Sequence, residues 1–214
     1  MSSAQAHHLT VRRTARYYSS GAGEAPVSRV WVALHGHAML AQRFLGFLEP
    51  LNSPGTLVLA PEALSRFYLG TRQDGQHDAA IGATWLTRED RDAEIADAIA
   101  YLDQLVAEVI APAHPAAAIG VFGFSQGVAL AARWAERGKV ALATLALWGS
   151  TLPDEVDLSR LAERLQGVNV TLVAGESDPL LPAGAMDRAL ARLTDAGIRA
   201  TLRDLAHHFT VANP

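Results

Sequence analysis

Short apolar runs alternate with longer amphipathic ones along this chain. Val30–Leu34 (VWVAL), Thr56–Ala60 (TLVLA), Ile119–Phe124, Leu142–Leu147, Val168–Ala174 and Ala200–Leu205 are β-prone. Most are apolar throughout, which suits strands buried on both faces of a parallel sheet. Helical spacing fills the intervals. It is expected over Gln42–Leu51, over Glu89–Ile110 with Ile95, Ile99, Leu102, Val106 and Val109 on one stripe, from Gln126 onward, over Leu158–Leu165 and over Ala183–Ala196. Leu9–Tyr18 reads as an opening strand before the turn-rich SSGAGEAP, and Pro61–Arg88 is a long polar and aromatic insertion without a clear period. Strands alternating with helices predict an α/β fold, a mostly parallel central sheet covered on both faces. Residues 1–214 are expected to form one domain, with 1–8 flexible and the 61–88 insertion near the active site.

Composition narrows the class. Half of the 214 residues are hydrophobic and 19% are charged, the profile of a globular enzyme or binding domain. No apolar run reaches the length of a membrane span, and MSSAQAHHLTVRR lacks the order of a signal peptide. There is no cysteine, so disulfides, Cys-ligated zinc and a Cys nucleophile are excluded, and cytoplasm is the default location. A net charge of −4 gives no reason to expect nucleic acid as a partner. Membrane insertion is not expected, and the oligomeric state is expected to be monomer or homodimer.

In open parallel sheets, ligands bind beyond the carboxyl ends of the strands, so the residues just past each strand are where chemistry is sought. Past Ile119–Phe124 stands Gly123-Phe124-Ser125-Gln126-Gly127. This is G-x-S-x-G, in which a serine at the apex of a sharp strand-to-helix turn is held exposed while flanking glycines permit close approach. With 17 glycines in the chain the bare pattern would arise by chance in roughly 7% of shuffled sequences, so it needs partners. Without them, Ser125 is a serine capping an ordinary helix.

The partners follow other strands. Past VWVAL comes His35-Gly36-His37-Ala38-Met39, a loop able to turn back toward the serine. The N–H groups of His37 and Gln126 are the expected oxyanion donors. Past Val168–Ala174 comes GESDPLLP, where Asp178 is preferred as the acid over Glu176 and Asp154. The alternative for Asp178 is an Asx-turn or a helix cap. Past Ala200–Leu205 come Ala206-His207-His208, where either histidine can serve as the base. The chain order Ser, Asp, His is that of α/β-hydrolases, and neither histidine pair has the spacing of a zinc site. No metal or other cofactor is expected.

HGHAML, PEALSRFYLG, GATWLTREDR, GFSQG, GESDPLLP and LAHH together resemble the phospholipase/carboxylesterase group of α/β-hydrolases, over roughly His35 to His208. The resemblance implies Ser125 as nucleophile, Asp178 as acid, and His37 and Gln126 as oxyanion donors. It also implies a small, cofactor-free enzyme acting on carboxylic esters or thioesters. Its pattern assigns the base to His207, with His208 the competitor. Ala206-His207-His208 stands where related enzymes often have Gly-His, and the chain ends at FTVANP where a final helix usually follows.

The expected activity is therefore ester hydrolysis through an acyl-enzyme on Ser125, the substrate being a small acyl ester. Met39, Phe67 and Trp85 are expected to line the acyl pocket, Trp85 foremost, with packing of the insertion onto the body the equal alternative for Phe67 and Trp85. Two alternatives use the same residues: a non-catalytic small-molecule binding protein on this fold, and acyl transfer to an acceptor other than water.

Overall fold

The computed structural model describes residues 4–21, 23, 25–70, 80–175, 178–179 and 181–205. Strands β1 (Tyr17–Gly21), β2 (Arg29–Leu34), β3 (Thr56–Pro61), β6 (Ala118–Phe124), β7 (Thr144–Trp148), β8 (Asn169–Gly175) and β9 (Ala200–Leu205) form one sheet. Their order is β1-β3-β2-β6-β7-β8-β9. All neighbours are parallel except β1, which runs antiparallel to β3. Strands β4 (Ser65–Tyr68) and β5 (Ile81–Thr84) pair as a separate antiparallel ribbon within the 61–88 insertion.

Helices α2 (Arg91–Leu105), α4 (Gln126–Arg137), α5 (Leu158–Arg164) and α6 (Ala185–Asp195) share the larger core. It holds Val30, Val32 and Leu34 of β2 together with Leu102, Leu130, Leu161 and Leu193 of these helices. Helix α1 (Ala41–Phe47) covers the other face, where Phe44 packs with Ala33, Val58 and Phe122. Because β2 faces both cores, its apolar run has no polar alternation. This is why the run could be read as a central strand.

The opening strand begins later than expected, at Tyr17 rather than Leu9. Register explains the difference. Tyr17 pairs with Pro61, the last residue of β3, and beyond it the ladder has only the Glu62 N–H donating to the Arg16 carbonyl at 3.0 Å. Leu9 and Val11 are accordingly exposed. The long helical run is shifted from Glu89–Ile110 to Arg91–Ala113 and is not regular throughout. Asp90 is left-handed (φ 49°), so α2 starts at Arg91, and at Val106–Ile110 the backbone widens into a π turn before α3 (Ala111–Ala113). Pro112 lies in that last turn and has no N–H to continue the ladder. Helix α6 opens at Ala185, not at Ala183. Among the described residues no helix is long and apolar enough to cross a membrane.

Candidate active site

Ser125 sits at φ 51°, ψ −114°, between the end of β6 and the first residue of α4. A side chain-bearing residue at positive φ outside the left-handed helical basin costs of order 1–3 kcal/mol, so the surroundings must hold it there. They do so by close approach. A methyl group on Gly123 would stand 2.7 Å from the Gly127 carbonyl oxygen, and one on Gly127 would collide with the backbone carbonyl of Leu34. The Ser125 N–H donates to the Trp148 carbonyl at 2.8 Å, tying the apex to the end of β7. Ser125 makes no side-chain cap to α4, which removes the alternative of an ordinary capping serine.

The loop after β2 lies against this apex. A methyl on Gly36 would stand 3.3 Å from the Ser125 Cβ, 3.1 Å from the Phe124 ring and 3.2 Å from the Met39 sulfur. The Ala38 and Met39 N–H groups are committed, to the Ala83 carbonyl at 2.9 Å and the Gly36 carbonyl at 3.3 Å. Gly82 of β5 packs so closely on Ala38 that a Cβ there would stand 2.6 Å from the Ala38 carbonyl oxygen. The insertion thus forms the back of this loop. His37 is exposed, and its ring stacks on Phe67 of β4 at 5.3 Å between centroids.

Gln126 has two separate parts. Its backbone N–H is the first of α4, where helix geometry supplies no intrahelical acceptor. Its side chain points away into a clasp: Oε1 accepts from the Trp85 N–H at 3.0 Å, and Nε2 donates to the Thr84 hydroxyl and the Leu86 carbonyl, each at 2.9 Å. The elbow is thereby fastened to the end of β5.

Trp85, expected at the pocket, is 4% exposed and belongs to the larger core. Its indole N–H donates to the His35 carbonyl at 2.9 Å, and its ring lies 4.9 Å from the His35 ring. The apolar residues around GATW are explained by this support of the loop from behind. Met39 and Phe67 are the pocket candidates that stay near the apex and its loop.

His35 is fully buried. Its Nε2 accepts from the Ala63 N–H at 3.1 Å, so the proton is on Nδ1, which donates to the Gly36 carbonyl at 2.7 Å. Burial pushes its pKa down from 6.5 to about 4, against weaker opposing contributions from the Gly36 carbonyl and the Glu62 charge. His35 is therefore a neutral structural imidazole.

Asp178 follows β8 in a turn closed by its N–H to the Gly175 carbonyl at 3.1 Å. Its Oδ2 lies 4.0 Å from where a methyl on Gly149 would sit, and Gly149 directly follows β7. No side chain caps α6, whose N-cap is Gly184, so Asp178 is not serving that helix. Asp154 is fully exposed and pairs with Arg192 at 3.0 Å on the surface. Glu176, His207 and His208 lie outside the described residues. The register Gly175↔Leu205 sets the exits of β8 and β9 side by side. A cavity of about 490 Å³ lies there, lined by Gly175, Asp178, Leu181, Met186, Leu202 and Asp204 among others.

Glu62 was not singled out from the sequence, although it directly follows β3 and the search past each strand reaches it. Its carboxylate is buried and accepts from Arg16 Nε at 2.8 Å, Arg16 Nη2 at 3.0 Å, Arg66 Nε at 2.6 Å and the Ala41 N–H at 3.3 Å. Burial alone would raise its pKa, but the hydrogen bonds from Arg66 and Arg16 outweigh it and hold the carboxyl below its usual range. Among the described residues no three His, Asp or Glu side chains cluster as a metal site would require.

A mostly parallel sheet with a strained serine at its strand-to-helix elbow defines an α/β-hydrolase. The description of the phospholipase/carboxylesterase family matches residues 83–212, and the chain belongs to that family. It is similar in fold to esterase PE8 (22% identity, TM-score 0.65, 94% of this chain and 93% of that one). It is likewise similar to acyl-protein thioesterase 2 of Zea mays (20%, 0.66, 93% and 94%). A third likeness is to the carboxylesterase of Bacillus cereus (19%, 0.64, 92% and 88%). No curated protein matches in sequence.

Proposed function

We propose that this hydrolase cleaves small carboxylic esters, with thioesters as a second substrate class, through an acyl-enzyme on Ser125. The observation that carries the reading is the strained serine itself. Three close packings hold Ser125 at φ 51°, and a binding site has no use for a hydroxyl aimed at such cost. The names of the similar structures, two esterases and a thioesterase, support the same bond type.

In this mechanism Ser125 Oγ attacks the acyl carbonyl as His207 removes its proton. The His37 and Gln126 N–H groups receive the developing oxyanion. Asp178 fixes the tautomer of His207 and stabilises its imidazolium. His207 then protonates the departing alcohol or thiol, and water repeats the sequence on the acyl-enzyme. The register sets the end of β9 beside the end of β8, the strand that precedes Asp178, so a histidine soon after Leu205 starts from the acid's side of the sheet. Met39 and Phe67 line the acyl side, with Trp85 supporting them from behind. The protein is proposed to act in the cytoplasm, as a single domain, without a cofactor.

Ser125→Ala is expected to lower kcat on p-nitrophenyl acetate about 10⁴-fold with the fold intact, and a fluorophosphonate should label Ser125 alone. Labelling of another serine, or an unchanged rate, overturns the assignment.

A further inference from the structure

The loop from His35 to Ala41 is fastened at both ends to two consecutive residues just past β3. At its start, the Ala63 N–H donates to His35 Nε2 at 3.1 Å; at its end, the Ala41 N–H donates to Glu62 Oε2 at 3.3 Å. The same carboxylate receives Arg66, the second residue of β4 in the insertion that backs the loop through Ala83. It also receives Arg16, whose carbonyl in turn accepts from the Glu62 N–H at 3.0 Å and the Tyr101 hydroxyl at 3.1 Å. One buried side chain therefore joins the N-terminal segment, the insertion and the loop beside Ser125.

Stability alone does not call for this arrangement. Taking the Glu62 carboxylate out of water costs several kcal/mol, while its partners Arg16 and Arg66 stay partly exposed, and apolar replacements of buried ion pairs are often as stable or more so. What an apolar group cannot supply is a directional acceptor for Ala41 N–H and a fixed point for both arginines. We infer that Glu62 is a positioning residue, setting the His35–Ala41 loop so that the His37 N–H meets the oxyanion that forms on the Ser125 adduct. The inference rests on the proposed function for its catalytic consequence, though not for the anchoring of the loop.

The test compares wild type, Glu62→Gln and Arg66→Gln by two readouts. The first is kcat and KM on p-nitrophenyl acetate; the second is amide hydrogen exchange in peptides covering residues 35–41 against peptides from β6 and α4. Glu62→Gln keeps an acceptor but loses the charge that holds both arginines. It should lower kcat about 10- to 100-fold and leave KM within about 3-fold, because an oxyanion donor acts on the transition state and not on the bound ester. Exchange in 35–41 should quicken while β6 and α4 stay unchanged. Arg66→Gln, a change at a half-exposed side chain, should shift both readouts the same way by less, and it stands in should the first variant fail to fold. An unchanged kcat, or a loss matched by faster exchange across β6 and α4, overturns the positioning role. Ser125→Ala run in parallel separates the two ideas. If wild-type turnover does not depend on Ser125, the acyl-enzyme reading fails, and exchange in 35–41 alone decides whether Glu62 positions the loop.

Discussion

At the scale of single residues, His35 and His37 differ most in what surrounds them. They stand two apart, yet one is sealed beneath the loop as a neutral acceptor and the other lies exposed against Phe67. His35 should leave a mark on pH stability. Its pKa of about 4 in the folded chain lies below the ordinary 6.5. Above pH 6.5 both folded and unfolded forms are neutral there. Below it the unfolded chain takes up the proton first, so stability falls as pH drops toward about 4, by at most about 3 kcal/mol from this group. Urea denaturation across that range should show the loss in wild type and a flatter profile in His35→Gln, which keeps an acceptor for Ala63. Equal slopes would show that the imidazole carries no such penalty. The base is tested the same way, by substitution. His207→Ala should cost about 10³-fold or more in kcat and His208→Ala much less; the reverse ranking gives the role to His208. Sequence located Ser125 and Asp178 just past strands, where the structure has them, because each follows an unmistakable apolar run. For Trp85 it left pocket and packing open, since an aromatic beside such a loop reads the same whether it faces a ligand or backs the loop, and the structure buries it.

Elements were legible where both sheet faces are buried and less so where pairing partners run out. β2, β3, β6, β8 and β9 lie within a residue of their expected bounds, the first three because their apolar runs are those of strands buried on both faces. The start of β1 was not legible, because it is set by where β3 ends and not by anything in Leu9–Arg16. The β4–β5 ribbon was hidden for a related reason: it is held by backbone hydrogen bonds between Ala83 and Ala38 and Met39 and by the Gln126 side chain on Thr84, residues remote in sequence. The elbow itself is the most constrained of these joints. Gly127→Ala should destabilise the protein by about 2–4 kcal/mol or prevent folding, since the new methyl meets the rigid Leu34 carbonyl. A midpoint of urea unfolding within experimental error of wild type would mean that α4 can move off β2 at little cost.

For the molecule as a whole, the proposed chemistry draws on backbone N–H groups and three side chains from the carboxyl ends of β2, β6, β8 and β9. Nothing in that set needs an ion. Esterase activity should persist through dialysis against EDTA, and a loss restored by a divalent cation would point to a different reaction. The geometry of the sheet has another consequence. β9 is an edge, paired among the described residues with β8 alone, and an open edge is a template on which a second chain can add a strand. Thr201, Arg203 and Asp204 are all exposed there. Side chains alternate along a strand, so Arg203 and Asp204 put a charge of opposite sign on each face of the edge. Charges of this kind on an exposed edge disfavour a copy of the chain pairing along β9, the way natural sheets blunt their edges.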